Sequence, residues 1–151
     1  MPSAASSTSA KMTNATEPLL LDTHVWIWLN EGGAQLADRV VRRIGRAAAQ
    51  GCAFVSVMSV WEVGLLHAKQ RVVLGLALPI WVQRAIAPPI AASALTPEIA
   101  MSCHQLPGQF HGDPIDRILV ATARTESLTL VTRDRAILYY AAQGHVRALP
   151  C

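Results

Sequence analysis

The chain has 151 residues, 52% of them hydrophobic and only 15% charged, with a formal net charge of +3. This length suits one compact domain with a real core, and the composition excludes a disordered or coiled-coil protein. The longest apolar stretch, between Arg71 and Gln83, is broken by Gly75 and Pro79 and is shorter than the ~20 residues that span a bilayer, so a soluble protein with no membrane partner is expected.

In chain order, residues 1–17 are mostly Ala, Ser and Thr, and no apolar core follows a charged start. The segment is expected to be a disordered tail and not a secretory signal, with Met12 offering a second translation start. Leu19-Leu20-Leu21-Asp22 then reads as a buried strand ended by an acid. Residues 34–49 follow a helical pattern, with Leu36, Val40, Ile44 and Ala47 or Ala48 on one face and Arg39, Arg42, Arg43 and Arg46 on another. Strands are expected at 52–57, 90–93, 128–132 and 145–149, and further helices at 59–70, 79–87, 97–106, 114–127 and 135–143. Alternating strands and helices predict an α/β fold with a mainly parallel central sheet. Cys52, Cys103 and Cys151 form an odd set without a CxxC pair, which argues against a disulfide framework or a structural zinc site and fits a cytoplasmic location.

Parallel α/β sheets bind ligands beyond the carboxyl ends of their strands, where Asp22 and Asp134 fall. Glu62 and Asp116 lie near the starts of expected helices, and right-handed crossovers would bring all four acids to one sheet edge. Carboxylates gathered without lysine raise one another's pKa unless a cation intervenes, and hard ions such as Mg²⁺ or Mn²⁺ prefer oxygen ligands. Capping is the competing explanation for each acid alone. Asp22 and Asp134 are good N-cap residues, and Ser59-Val60-Trp61-Glu62 fits a capping box. In Asp113-Pro114-Ile115-Asp116 the proline favours the first helical position. Asp113 is therefore the expected cap, while Asp116 shares a face with Leu119, Val120 and Ala123 and is the better metal-site residue.

These residues lie in LLLDTHVWIW, SVMSVWEVGLL, DPIDRILVATA and LTLVTRD, and in that order they resemble the PIN-domain ribonucleases of bacterial VapC-type toxins over roughly residues 18–149. The resemblance implies a single α/β/α domain at 18–151, Mg²⁺- or Mn²⁺-dependent cleavage of RNA, a neutralising antitoxin and a homodimer. It also implies an acidic site of Asp22, Glu62, Asp116 and Asp134, with Asp22, Asp116 and Asp134 as metal ligands and Thr132 as a nearby hydroxyl. Ile115 replaces the phenylalanine frequent in that motif and keeps an apolar packing residue.

Around this site, Asp113 and Arg117 are expected to support it, Arg117 in a structural role beside Asp116. Arg39, Arg42, Arg43 and Arg46 are candidates for RNA or antitoxin contact, or simply a solvated helix face. His24 falls close to the acids, whereas Trp26, Trp28, Trp61 and Trp81 read as core or interface. The apolar 60–82 region, with Trp61, Leu65, Leu66, Val72 and Val73, is the expected dimer or antitoxin surface. The alternative to a nuclease is a PIN-like module that binds RNA or protein without cutting. A phosphatase or phosphoacceptor domain would need a DxD pair after the first strand or a late lysine, and Lys69 is the last lysine.

Overall fold

The computed structural model describes residues 15–151. The tail expected at 1–17 and the second start at Met12 therefore fall largely outside the described residues. Glu17, at the end of that segment, is held by Thr129 and by an ion pair with Arg43.

Five strands form one sheet: β1 (Leu19–Leu21), β2 (Ala53–Ser56), β3 (Ala91–Ser93), β4 (Thr129–Thr132) and β5 (Ala148–Pro150). Their spatial order is β3-β2-β1-β4-β5 and every pairing is parallel, so the expected mainly parallel sheet is wholly parallel. The helices are α1 (Thr23–Asn30), α2 (Asp38–Ala49), α3 (Val57–Ala68), α4 (Leu78–Ala85), α5 (Pro97–Ser102), α6 (Pro114–Thr125) and α7 (Arg135–Ala142). The last strand begins later than its sequence pattern suggested, at Ala148.

Side chains alternate across a strand, and the three leucines of β1 show the consequence. Leu19 and Leu21 pack with Val25, Trp26, Ile44, Val63 and Trp81 from α1–α4. Leu20 faces the other way, against Leu119, Val120, Ile137 and Tyr140 of α6 and α7. All three are fully buried, as a central strand covered on both faces requires. The stripe Leu36, Val40, Ile44, Ala47 and Ala48 is buried as its spacing predicts, and the arginines of α2 lie outside.

The sheet order reverses direction between β1 and β4. Chain leaving β1 passes to β2 on one side, whereas β4 and β5 lie on the other. That reversal opens a crevice beyond the carboxyl ends of β1 and β4. The register pairs Leu21 with Val131, so the residues that follow them, Asp22 and Thr132, meet across it.

Candidate active site

Asp22 ends β1 and caps α1. Its backbone N–H donates to Val131 O at 3.0 Å. Its Oδ1 accepts from the Thr23 backbone N–H at 2.7 Å, and its Oδ2 accepts from the Thr132 hydroxyl at 2.6 Å. The residue is only 8% exposed, and burial raises its carboxyl pKa despite the hydrogen bonds from Thr132 and Thr23. Thr132 Oγ1 also accepts the backbone N–H of Asp134 at 3.0 Å, and Asp134 caps α7 by accepting from Ile137 N at 3.0 Å. Capping and site placement are thus compatible duties, because the first turns of α1, α6 and α7 all open on the crevice with their partial positive ends toward it.

Glu62 arrives differently from its sequence expectation. Ser56, at the end of β2, caps α3 by accepting from Met58 N at 3.1 Å, so the helix starts earlier than expected and the Ser59–Glu62 capping box is not made. Strand passes into helix with no intervening loop, which leaves Ser59 inside the helix and fully buried. Glu62 is freed to face the crevice, where its Oε2 accepts from the Thr23 hydroxyl at 2.8 Å. The Thr23 and Ser59 hydroxyls are also 2.8 Å apart. Burial raises the pKa of Glu62, the bond from Thr23 lowers it, and the Asp22 charge raises it further.

The α6 acids separate as Pro114 dictates. Asp113 caps the helix, its Oδ1 accepting from Asp116 N at 2.8 Å, and Asp116 sits half-buried above Leu119, Val120 and Ala123. Burial and then the charges of Asp113, Asp134, Asp22 and Glu62 push the Asp116 carboxyl up to about 7. Gly112 makes this approach feasible: a Cβ there would stand 2.9 Å from the Asp116 Cβ and overlap the Phe110 ring.

These five carboxylates, Asp22, Glu62, Asp113, Asp116 and Asp134, line one pocket of about 230 Å³, and its remaining wall is His24, Val25, Trp28 and Arg133. A larger cavity of about 1010 Å³ lies beside the opposite, N-terminal ends of β1 and β4, with Glu17 as its only carboxylate, and lacks this chemistry. Among the described residues no three His, Cys, Asp or Glu side chains stand as a preformed metal-ligand group. The donor chemistry nonetheless fits a hard divalent cation. Every anionic donor is a carboxylate oxygen, no lysine among the described residues lines the pocket, and after burial it is the four neighbouring carboxylates that raise the pKa of Asp116.

The other expected residues divide. Arg117 donates from Nε to Cys103 O at 3.1 Å and from Nη1 to Phe110 O at 2.9 Å, tying the loop before α6 to α5; it meets no carboxylate. Arg39, Arg42, Arg43 and Arg46 are exposed on α2, and none lines the acidic pocket. Trp26 and Trp81 are core, in edge contact at 4.9 Å, whereas Trp28 forms pocket wall and Trp61 is 56% exposed. Sequence reasoning gave Thr23 and Arg133 no part in the site and Ser59 only a capping role; the only local signal was that Thr23 and Arg133 sit next to strand-end acids.

Comparisons with known proteins bear on the family and the fold. A family model described as PIN domain matches residues 19–143. Ribonuclease VapC22 of Mycobacterium tuberculosis is 31% identical over 119 residues, which cover 79% of this chain and 88% of that protein. DNA-bound VapBC from Salmonella typhimurium aligns with a TM-score of 0.66 at 14% identity, over 89% of this chain and 98% of that one. A toxin-antitoxin complex from Klebsiella pneumoniae aligns with a TM-score of 0.50 at 22% identity, over 77% of this chain and 86% of that one. Together with the acids gathered at the β1/β4 crevice, the match over most of the chain shows that this protein belongs to the PIN domain family.

Proposed function

We propose that this chain is a Mg²⁺- or Mn²⁺-dependent ribonuclease, the toxin of a toxin–antitoxin pair. The observation that carries the reading is the convergence of five carboxylates from four separated chain segments on one pocket. The curated relative is a ribonuclease and a structural neighbour is a toxin-antitoxin complex, which supports both the activity and an antitoxin partner. A passive RNA-binding module is disfavoured, because five gathered carboxylates repel phosphate unless a bound cation bridges them.

Asp22, Asp116 and Asp134 would hold the ion. Such an ion lowers the pKa of a bound water and stabilises charge on the scissile phosphate. Thr132 keeps Asp22 and the Asp134 backbone in fixed relation, so these ligands are oriented before any substrate arrives. Glu62, which is held by the Thr23 hydroxyl, would accept a proton from the attacking water. Hydrolysis then adds water across one P–O bond of the RNA backbone.

The chain after Trp61 supports a partner surface. Trp61, Val73 and Ile80 are 56%, 89% and 47% exposed, large apolar side chains suited to contact with the antitoxin or with a second copy in a homodimer. Arg39, Arg42 and Arg46 offer exposed cations for an acidic antitoxin segment or RNA. The test of function is cleavage of single-stranded RNA with Mg²⁺, with Mn²⁺ and with EDTA. Cleavage with either ion and none with EDTA is expected; activity that survives EDTA sinks the reading.

A further inference from the structure

The pocket is acidic on its floor and on the α6 side, but its α1 wall has the opposite character. His24 and Trp28, one helical turn apart, share a face of α1, and Arg133 lies over the Trp28 ring at 4.5 Å. The Arg133 guanidinium is held at two further points: Nε donates to Cys151 O at 3.0 Å, and Nη2 donates to Gln35 O. The Trp28 ring and the Gln35 carbonyl orient the cation without neutralising it, since a ring face and a peptide carbonyl carry no net charge. Among the described residues Arg133 forms no ion pair with any of the five side-chain carboxylates that line the same pocket, and its Nη1 has no hydrogen-bond partner. The side chain is exposed. A charged fork fixed at its root and free at its tip suits a phosphate oxygen, and its conformational cost is already met by the fold.

We propose that Arg133, stacked on Trp28 at the lip of the acidic pocket, grips an RNA phosphate flanking the scissile one. The inference rests on the ribonuclease reading and assigns the strand's position within it. An RNA backbone entering a pocket of five carboxylates needs a cation at the entrance. Among the described residues, Arg133 and His24 are the only pocket-lining side chains able to carry positive charge, and the α2 arginines lie elsewhere. The flanking phosphate then anchors on the α1 wall while the next phosphate reaches the acids. Trp28 is a positioning residue that keeps the guanidinium turned outward.

The test uses the full chain and short fluorescein-labelled single-stranded RNA, with binding followed by anisotropy in EDTA over a range of salt, and cleavage measured separately with Mn²⁺. Arg133→Gln is expected to weaken binding about tenfold and to lower the salt slope by about 0.7, the share of one phosphate contact on single-stranded nucleic acid. Arg133→Lys, which keeps the charge and loses the fork, should fall between, with KM raised more than kcat is lowered. A set of RNAs with a neutral methylphosphonate at successive positions should reveal one flanking position where the wild type loses affinity and Arg133→Gln does not. The inference is overturned if wild type cleaves but Arg133→Gln matches it at every salt, or if both respond alike to every methylphosphonate. Arg133→Gln whose only change is a lower melting temperature also overturns it, leaving a tether for Gln35 and Cys151. Wild type that neither binds nor cleaves RNA instead brings down the ribonuclease reading, and this inference with it.

Discussion

Thr132 and Asp22, 110 residues apart in sequence, are joined by a 2.6 Å hydrogen bond across β1 and β4, the two strands between which the sheet changes direction. The same Thr132 oxygen receives the Asp134 backbone N–H, so one buried hydroxyl spaces the acid of β1 from the acid of β4. Thr132 is fully buried, and this link belongs to the rigid centre of the molecule.

Asp22→Asn separates fold from chemistry. Asparagine keeps an oxygen for the Thr23 N–H and remains a good helix cap, and it removes a buried charge whose pKa burial has raised. The amide N–H then faces the Thr132 hydroxyl in place of an acceptor, so relief of the buried charge is set against that lost bond. Thermal melts in EDTA should show a folded variant of stability within about 1–3 kcal/mol of wild type. Mg²⁺ should raise the melting temperature of wild type and not of the variant, by linkage of ion binding to folding. RNA cleavage should drop by more than ~100-fold, beyond what loss of an outer partner of a metal ligand costs.

Thr23→Val tests a residue that sequence patterning passed over. Valine fills the same fully buried space but offers no hydrogen to Glu62 and no hydroxyl to Ser59. The expected loss of stability is about 1–3 kcal/mol, read by urea unfolding. Cleavage should fall and the pKa of Glu62 should rise, since the Thr23 hydrogen bond holds it down. Unchanged activity in the folded variant would show that Glu62 needs no steering.

For Asp116 the pH dependence has a defined sign. Its carboxyl pKa is about 7 in the folded chain against the ordinary aspartate value of 3.8. Between those values the folded state holds a proton that the unfolded chain has released, so this group's stabilisation is present at low pH and lost as pH rises through 7. The difference in stability between wild type and Asp116→Asn, measured in EDTA, should move against wild type over that window. Mn²⁺ should reverse the trend by favouring the ionised form.

Asp113 contributes charge and a cap, and two variants distinguish them. Asp113→Asn retains the cap on α6 and removes the charge that ranks after burial in raising the Asp116 pKa. NMR titration should show the Asp116 value lowered. Asp113→Ala should also cost about 1 kcal/mol of stability through the lost cap. Activity lost equally in both, at conditions where both are folded, would give Asp113 a part in the chemistry.

Arg117→Ala should behave as a structural lesion. Its bonds to Cys103 O and Phe110 O fasten the loop that carries Asp113 and Asp116, and their loss is expected to cost about 2–3 kcal/mol. Cleavage per folded molecule should stay within a few-fold of wild type at low temperature. A loss as deep as that of Asp22→Asn would instead put the guanidinium on the substrate.

What the sequence by itself determined was local: apolar runs that must be buried strands, the helical stripe from Leu36 to Ala48, and the division of labour between Asp113 and Asp116. Each follows from periodicity, capping and the rigid proline, which act within a few residues. Right-handed crossovers implied the gathering of the acids at one sheet edge, and the family motifs implied the same site. The tertiary structure alone decided that Ser56 and not Ser59 caps α3, that Thr23 reaches Glu62, and that Asp113 lines the pocket as well as capping. It also decided that the charged fork at the pocket is Arg133 and not an α2 arginine. Those relations depend on the register of β1 against β2 and β4 and on how the helix starts crowd one sheet edge. Such contacts join residues tens of positions apart, where no sequence period records them.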